Sequence, residues 1–216
     1  MMLRLYDFLE SGNCYKVRLL LSQIGLPFER VHLDILKGET HQPEYLSRNP
    51  NHRVPLVEWP DGRRLAESNA ILFCLAESSP YLPDESWGRA QVLQWLFFEQ
   101  YSHEPYIAVV RFWHFAGTLD EHKAALAEKV DRGYHALDVM EQHLSTHEFF
   151  VARRYSIADI ALYAYTHVAH EGAFDLDRFP SVTAWLERVA AQQGHVRITD
   201  AVGDLVDWPQ PNRKIH

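Results

Sequence analysis

The hydrophobic pattern of this chain changes near residue 78, and that change constrains the fold more than any other feature. Before it, short segments alternate between strand-like and helix-like spacing. From Trp87 onward every strong pattern has helical spacing. We therefore predict two domains, residues 1–78 and 87–216, joined by a linker at 79–86 that contains Pro80 and Pro83.

The first 78 residues predict a βαβ unit followed by a β-hairpin and a helix. A strand at 3–5 leads into a helix that ends at Gly25, and a second strand covers 28–33. The helical crossover makes these two strands parallel. A hairpin follows within residues 56–65, after which Ser68 can cap the last helix. The expected domain is a small α/β layer.

The second half predicts only helices. Their approximate bounds are 87–115, 119–145, 156–170 and 181–193. Pro105 falls inside the first of them and should bend it, because proline removes a backbone donor and crowds the preceding turn. Ser156 and Asp159 have the spacing of a capping box, so we assign them to folding and not to chemistry.

Composition excludes several classes of protein. Hydrophobic residues make up 47% of the chain and charged residues 23%, which indicates a folded globular protein. The net charge of −8 and the lack of a Lys/Arg run argue against nucleic acid as a partner. We expect no signal peptide, no membrane span and, with two cysteines, no disulfide scaffold. A cytoplasmic protein is expected.

Three motifs of the first half occur in a characteristic order: Ser11-Gly12-Asn13-Cys14, Val54-Pro55 and Glu67-Ser68. Together with Ser156–Ala161 in the second half, they resemble the glutathione transferases, and the bacterial, theta/beta-like, serine-type branch in particular. The resemblance covers essentially the whole chain. It implies a thioredoxin-like glutathione-binding domain, an all-α domain that shapes the second-substrate pocket, a homodimer, and detoxification of electrophiles.

The resemblance assigns Ser11 as the catalytic residue, whose hydroxyl hydrogen-bonds the glutathione sulfur and stabilises its thiolate. The alternative role of Ser11 is a plain helix cap. Asn13 offers a second donor to the sulfur. Cys14 is either a redox-active thiol, as in cysteine-type relatives, or a small buried core residue, and we favour the core. For Tyr6 we prefer ordinary strand packing.

The other glutathione contacts are also implied by the resemblance. Pro55, usually cis in the family, turns the Val54 backbone toward the cysteinyl backbone of glutathione. Glu67 meets the γ-glutamyl ammonium, and Ser68 with the helix amides meets its carboxylate. Arg53, or else the neighbouring His52, reaches the glycine carboxylate.

The aromatic and histidine residues from Trp95 to Phe115 lie on the helix that faces the glutathione site in the family. We expect Tyr106, His103 and Trp113 to line the substrate pocket. No metal is expected: two histidine pairs have helical spacing, but neither forms a His-Glu-x-x-His motif and no cysteine lies nearby.

These residues predict a glutathione transferase that joins the glutathione thiolate to a small electrophile. One alternative is a glutathione-dependent disulfide reductase or peroxidase, which gives Asn13 or Cys14 a larger role. A zeta-like isomerase is less favoured, because the doubled-serine and cysteine signature of that branch is absent around Ser11. A non-catalytic binding protein on the same fold is the alternative from another class.

Overall fold

The computed structural model of the chain describes residues 2–151 and 153–208. The chain forms two compact units: residues up to Ile71 together with those from Val196 onward, and Leu72–His195. The boundary therefore falls inside a helix, and residues 196–208 return to the first unit.

The first unit is built on a five-stranded sheet in the order β4-β3-β1-β2-β5. Its strands are β1 (Leu3–Asp7), β2 (Phe28–His32), β3 (Leu56–Glu58), β4 (Arg64–Ala66) and β5 (Asp204–Val206). Its helices are α1 (Gly12–Gln23), α2 (Pro43–Leu46) and the start of α3 (Ser68–Leu75). β1 is parallel to β2 and antiparallel to β3, which confirms the predicted crossover and hairpin.

Helix α1 is the buried connection between β1 and β2. It begins after Ser11, whose side chain accepts a hydrogen bond from the Cys14 amide, and the chain turns at Gly25 with φ of 65°. A glycine suits this turn because it adopts positive φ without steric cost. The apolar residues of the helix from Val17 to Leu21 are fully buried, so α1 belongs to the core of the first unit.

Strand β5 corrects the prediction that residues 87–216 are all-helical. Asp204–Val206 pairs in parallel with β2, with Glu29 opposite Asp204. Two buried side chains of α1 hold the segment that leads to it: Tyr15 donates to the Val196 carbonyl at 2.7 Å, and Arg18 donates to the Ile198 carbonyl at 2.9 Å.

The second unit is helical. Its helices are α4 (Ser86–Phe98), α5 (Glu104–Phe115), α6 (Lys123–Leu144), α7 (Ile157–Thr166) and α8 (Pro180–Ala190), together with the end of α3. Every residue of α7 is buried. A helix that is buried on every side belongs in the centre of a bundle, and α4, α5 and α8 pack against α7.

The predicted helix at 87–115 is divided in two. A π-helical segment, Glu99–His103, separates α4 from α5, and Pro105 lies in the first turn of α5. In that position the missing amide breaks no intrahelical hydrogen bond. The interruption therefore precedes the proline instead of lying at it.

The capping box at α7 is present as predicted. Asp159 accepts hydrogen bonds from the Ser156 amide at 2.9 Å and from the Ser156 hydroxyl at 3.0 Å. Its other oxygen accepts from the Phe150 amide at 3.1 Å and from the Trp185 indole at 3.0 Å. This fully buried carboxylate thus joins the start of α7 to α8 and to the preceding loop.

Within the described part of the chain, no helix combines the length and the apolar character needed to cross a membrane.

Candidate functional site

The three motifs of the first half meet at one edge of the sheet. The register places Tyr6 opposite Leu56 and Leu56 opposite Ala66. The C-terminal ends of β1 and β4 therefore lie beside the N-terminal end of β3. The Ser11 turn, the Val54–Pro55 peptide and Glu67 all continue from these three strand ends, so the topology gathers residues that are far apart in the sequence.

Ser11 is both a helix cap and an available donor. Its hydroxyl oxygen accepts from the Cys14 amide at 3.3 Å, and its side chain is half-buried. Among the described residues, no acceptor takes the Ser11 hydroxyl proton. The proton can therefore be donated to a ligand while the cap stays in place, and the two predicted roles of Ser11 are compatible.

Cys14 is a core residue. It is fully buried, and its sulfur accepts a hydrogen bond from the Phe8 amide at 3.4 Å. Burial, followed by the nearby Asp7 carboxylate, raises the pKa of the Cys14 thiol above its ordinary value. A buried thiol whose anion is disfavoured is a poor nucleophile.

Tyr6 is also buried, in a cluster with Tyr45 and Trp208, as expected of strand packing.

A polar network joins α1 to α3. The Ser68 hydroxyl donates to the Asn13 side-chain oxygen at 3.1 Å, and it accepts from the Lys16 ammonium at 3.3 Å. Lys16 also donates to the Asn69 side-chain oxygen at 3.4 Å. Ser68 is the first residue of α3 and its hydroxyl bonds to α1, so the prediction that it caps its own helix is wrong.

Lys16 did not stand out in the sequence, although a signal was present. It shares a helical face with Asn13, Val17 and Leu20, at spacings of three and four residues. A lysine on a face with two core residues is expected to be buried, and its exposed fraction is 0%.

The loop before β3 is held by side-chain hydrogen bonds to one of its backbone carbonyls. The Val54–Pro55 peptide is cis. The Arg53 carbonyl accepts from the Tyr45 hydroxyl at 2.6 Å and from the side-chain amide of Asn49 at 2.8 Å, while the Arg53 side chain is exposed. This arrangement fixes the loop and leaves the guanidinium free to meet an anion.

Glu67 lies between β4 and α3 with φ of 66°, a left-handed conformation that is uncommon for a residue with a side chain. Its side chain is exposed. Unusual backbone conformations of this kind cluster at ligand sites. An exposed carboxylate therefore stands next to the buried Ser68 hydroxyl.

The three residues expected to line a substrate pocket lie in different surroundings within the second unit. His103 is fully buried and bonds the Thr166 hydroxyl at 2.9 Å. Trp113 is buried and stacks on the His122 ring at 4.3 Å. Tyr106 is half-buried, with the Lys129 ammonium 5.0 Å from its ring centre. The structure therefore places His103 and Trp113 in the core, and only Tyr106 is kept as a candidate.

Among the residues that the structure describes, no group of three or more His, Cys, Asp or Glu side chains is arranged to hold a metal ion.

Comparison with known proteins decides the family. Residues 1–77 match the family model of the glutathione S-transferase N-terminal domain, and residues 79–193 match that of the C-terminal domain. The chain belongs to the glutathione S-transferase family. A solved glutathione S-transferase structure from Pseudomonas fluorescens Pf-5 is 51% identical, covers 93% of this chain and 100% of its own, and has a TM-score of 0.90.

Two further relatives of this transferase-family chain bear on chemistry. The disulfide-bond oxidoreductase YfcG of Escherichia coli K12 is 28% identical over 214 residues, which is 94% of this chain and 98% of YfcG. A glutathione transferase structure from Pseudomonas putida holds one glutathione disulfide per subunit. It is 31% identical, covers 89% of this chain and 88% of its own, and has a TM-score of 0.80.

Proposed function

We propose that this protein binds reduced glutathione at the sheet edge of its first unit and transfers the thiolate to a small electrophile. The Ser11 hydroxyl supports this most directly, because its oxygen is engaged by the Cys14 amide while its proton is available. A sulfur placed at this turn meets a hydrogen-bond donor at the N-terminus of a 12-residue helix. Both features favour a thiolate over a thiol.

The remaining proposed contacts are with the backbone and the two ends of glutathione. The backbone of Val54, next to the cis bond to Pro55, pairs with the cysteinyl backbone as an added strand does. The exposed Glu67 carboxylate takes the γ-glutamyl ammonium, and the first turn of α3 at Ser68 takes the carboxylate of the same group. Arg53 takes the glycine carboxylate.

The proposed reaction is a nucleophilic attack. Ser11 lowers the pKa of the bound thiol from about 8.5 toward neutrality by donating to its anion. The thiolate sulfur then forms a bond to the electrophilic carbon, and the leaving group departs with its bonding electron pair. Ser11 stabilises the nucleophile and forms no covalent bond itself. Tyr106 remains the proposed contact to the second substrate.

The test is a glutathione titration followed by the ultraviolet absorbance of the thiolate. We expect Ser11→Ala to raise the pKa of bound glutathione by about one unit, which lowers the thiolate fraction near neutral pH several-fold. Ser11→Thr retains the hydroxyl and serves as the matched control. Cys14→Ala should leave the absorbance unchanged, because that thiol is buried. Equal thiolate signals in wild type and Ser11→Ala contradict the assigned role.

Glutathione-dependent disulfide reduction is the second candidate. It is favoured by the similarity to YfcG and by the glutathione disulfide held in the Pseudomonas putida structure. Since Cys14 is buried, the thiolate in such a reaction comes from glutathione and not from Cys14. Parallel assays with an aryl halide and with a small disulfide separate the two reactions. Glutathione binding without turnover of either substrate indicates a binding protein.

We further propose that the protein is a homodimer. Trp87, Leu93 and Phe97 lie on one side of α4 and are 71%, 37% and 69% exposed, and Tyr101 beyond them is 82% exposed. Apolar surface of this kind commonly marks an interface. Sedimentation velocity should show a dimer for the wild type and a folded monomer for Phe97→Glu, whereas a monomeric wild type contradicts the proposal.

Both cysteines are free thiols, which fits the proposed cytoplasmic location.

A further inference from the structure

Lys16 is a fully buried cation at the junction of α1 and α3. Its ammonium lies 3.3 Å from the Ser68 hydroxyl oxygen and 3.4 Å from the Asn69 side-chain oxygen. Burying an ammonium is costly, and an apolar side chain of similar length fills the same space without that cost. The two contacts that Lys16 makes with the first turn of α3 point to a role beyond packing.

The contacts of Ser68 indicate what that role is. A hydroxyl has one proton, and Ser68 donates it to the Asn13 oxygen while accepting from Lys16. Two partners on α1 thus fix the rotamer of the first side chain of α3. With its proton engaged, the Ser68 hydroxyl is a weak donor to a ligand anion. Positive charge for an anion at this turn then comes from Lys16, behind Ser68, and from the amides of the helix N-terminus.

We propose that Lys16 is a positioning residue for the γ-glutamyl carboxylate of glutathione. Its burial keeps it from touching the ligand. It acts by holding Ser68 and Asn69 in place at the first turn of α3 and by adding a positive charge behind that turn. This inference rests on the proposed glutathione site and names a residue that determines which end of the ligand is recognised there.

The experiment compares two ligands that differ by one group. Glutathione and 4-aminobutyryl-cysteinyl-glycine are the same peptide with and without the α-carboxylate of the γ-glutamyl residue. Calorimetry should show that Lys16→Met weakens glutathione binding on the order of tenfold, as expected for losing one charge-assisted interaction. Binding of the analogue should change less than twofold. Lys16→Arg keeps the charge and should recover most of the affinity for glutathione.

Lys37→Met is the matched control, because Lys37 has the same charge on an exposed side chain that pairs with Asp34. It should bind both ligands as the wild type does. If thermal unfolding shows that Lys16→Met does not fold, Lys16→Gln replaces it, with the same expected binding of the two ligands.

Two results overturn the inference: an equal loss of affinity for both ligands, which indicates a merely structural lysine, or unchanged glutathione binding. Failure of the wild type to bind glutathione at all is a different result. It refutes the proposed function, and the role of Lys16 falls with it.

Discussion

Replacing Asp159 with alanine should destabilise the helical unit more than loss of an ordinary cap. The carboxylate accepts from the amides of Phe150 and Ser156, from the Ser156 hydroxyl and from the Trp185 indole. All three donor residues are at least 98% buried. Each buried donor left without an acceptor costs about 1–3 kcal/mol, and the Ser156 hydroxyl can rotate to another partner.

The expected loss is about 3–5 kcal/mol of unfolding free energy, which is less than the summed cost of leaving each donor without an acceptor. Burial raises the pKa of Asp159 to about 6, although its hydrogen bonds act to lower it. Keeping this carboxylate ionised therefore costs the folded state free energy, which offsets part of the stabilisation from its hydrogen bonds. Urea unfolding at pH 7.5, followed by far-ultraviolet circular dichroism and tryptophan fluorescence, measures the change. Asp159→Asn keeps one acceptor oxygen and should lose about half as much. A loss below about 1 kcal/mol for Asp159→Ala refutes the reasoning, because that is the value of an isolated cap.

Two further changes test the packing of the same unit. Burial lowers the pKa of His167 to about 4, so between that value and the unfolded value near 6.5 the unfolded chain binds more protons at this residue. The contribution of His167 to stability should therefore fall on acidification by about 2 kcal/mol, after allowance for the exposed part of the ring, while the raised pKa of Asp159 acts in the opposite direction. Urea midpoints from pH 7.5 to 4.5 measure this slope, which His167→Gln should reduce; parallel slopes refute the assignment. Gly133→Ala places a Cβ 2.5 Å from the Phe174 ring. Thermal unfolding should show a net loss of about 1 kcal/mol despite the better helix propensity of alanine, and a stabilised variant contradicts the overpacking.

Elements with a local signal were predictable from the sequence. The spacing of Val17, Leu20 and Leu21 indicated α1, and Pro60-Asp61-Gly62 indicated the hairpin. Strand β5 was missed because three residues carry too little periodicity, and its partner β2 lies more than 170 residues earlier. Its formation depends on a tertiary contact that local spacing does not encode.

The candidate site was predictable to the level of its motifs, not its hydrogen bonds. The sequence indicated Ser11 and Ser68, but only the structure shows that the Ser68 proton goes to Asn13 and that Lys16 lies behind it. His103 and Trp113 were assigned to a substrate pocket, but aromatic and histidine residues at helical spacing fit the wall of a pocket and the hydrophobic core equally well. The side on which each ring lies depends on packing between helices.

The parallel pairing of β5 with β2 has a consequence for synthesis on the ribosome. β2 emerges early, yet its outer edge stays unpaired until residues 204–206 have been made. The helical unit is continuous in the chain and can fold before the sheet that precedes it is complete, which reverses the usual N-terminal-first order. An unpaired strand edge attracts other chains. A truncation after residue 195 therefore retains every residue of the candidate site and should still yield an aggregating product.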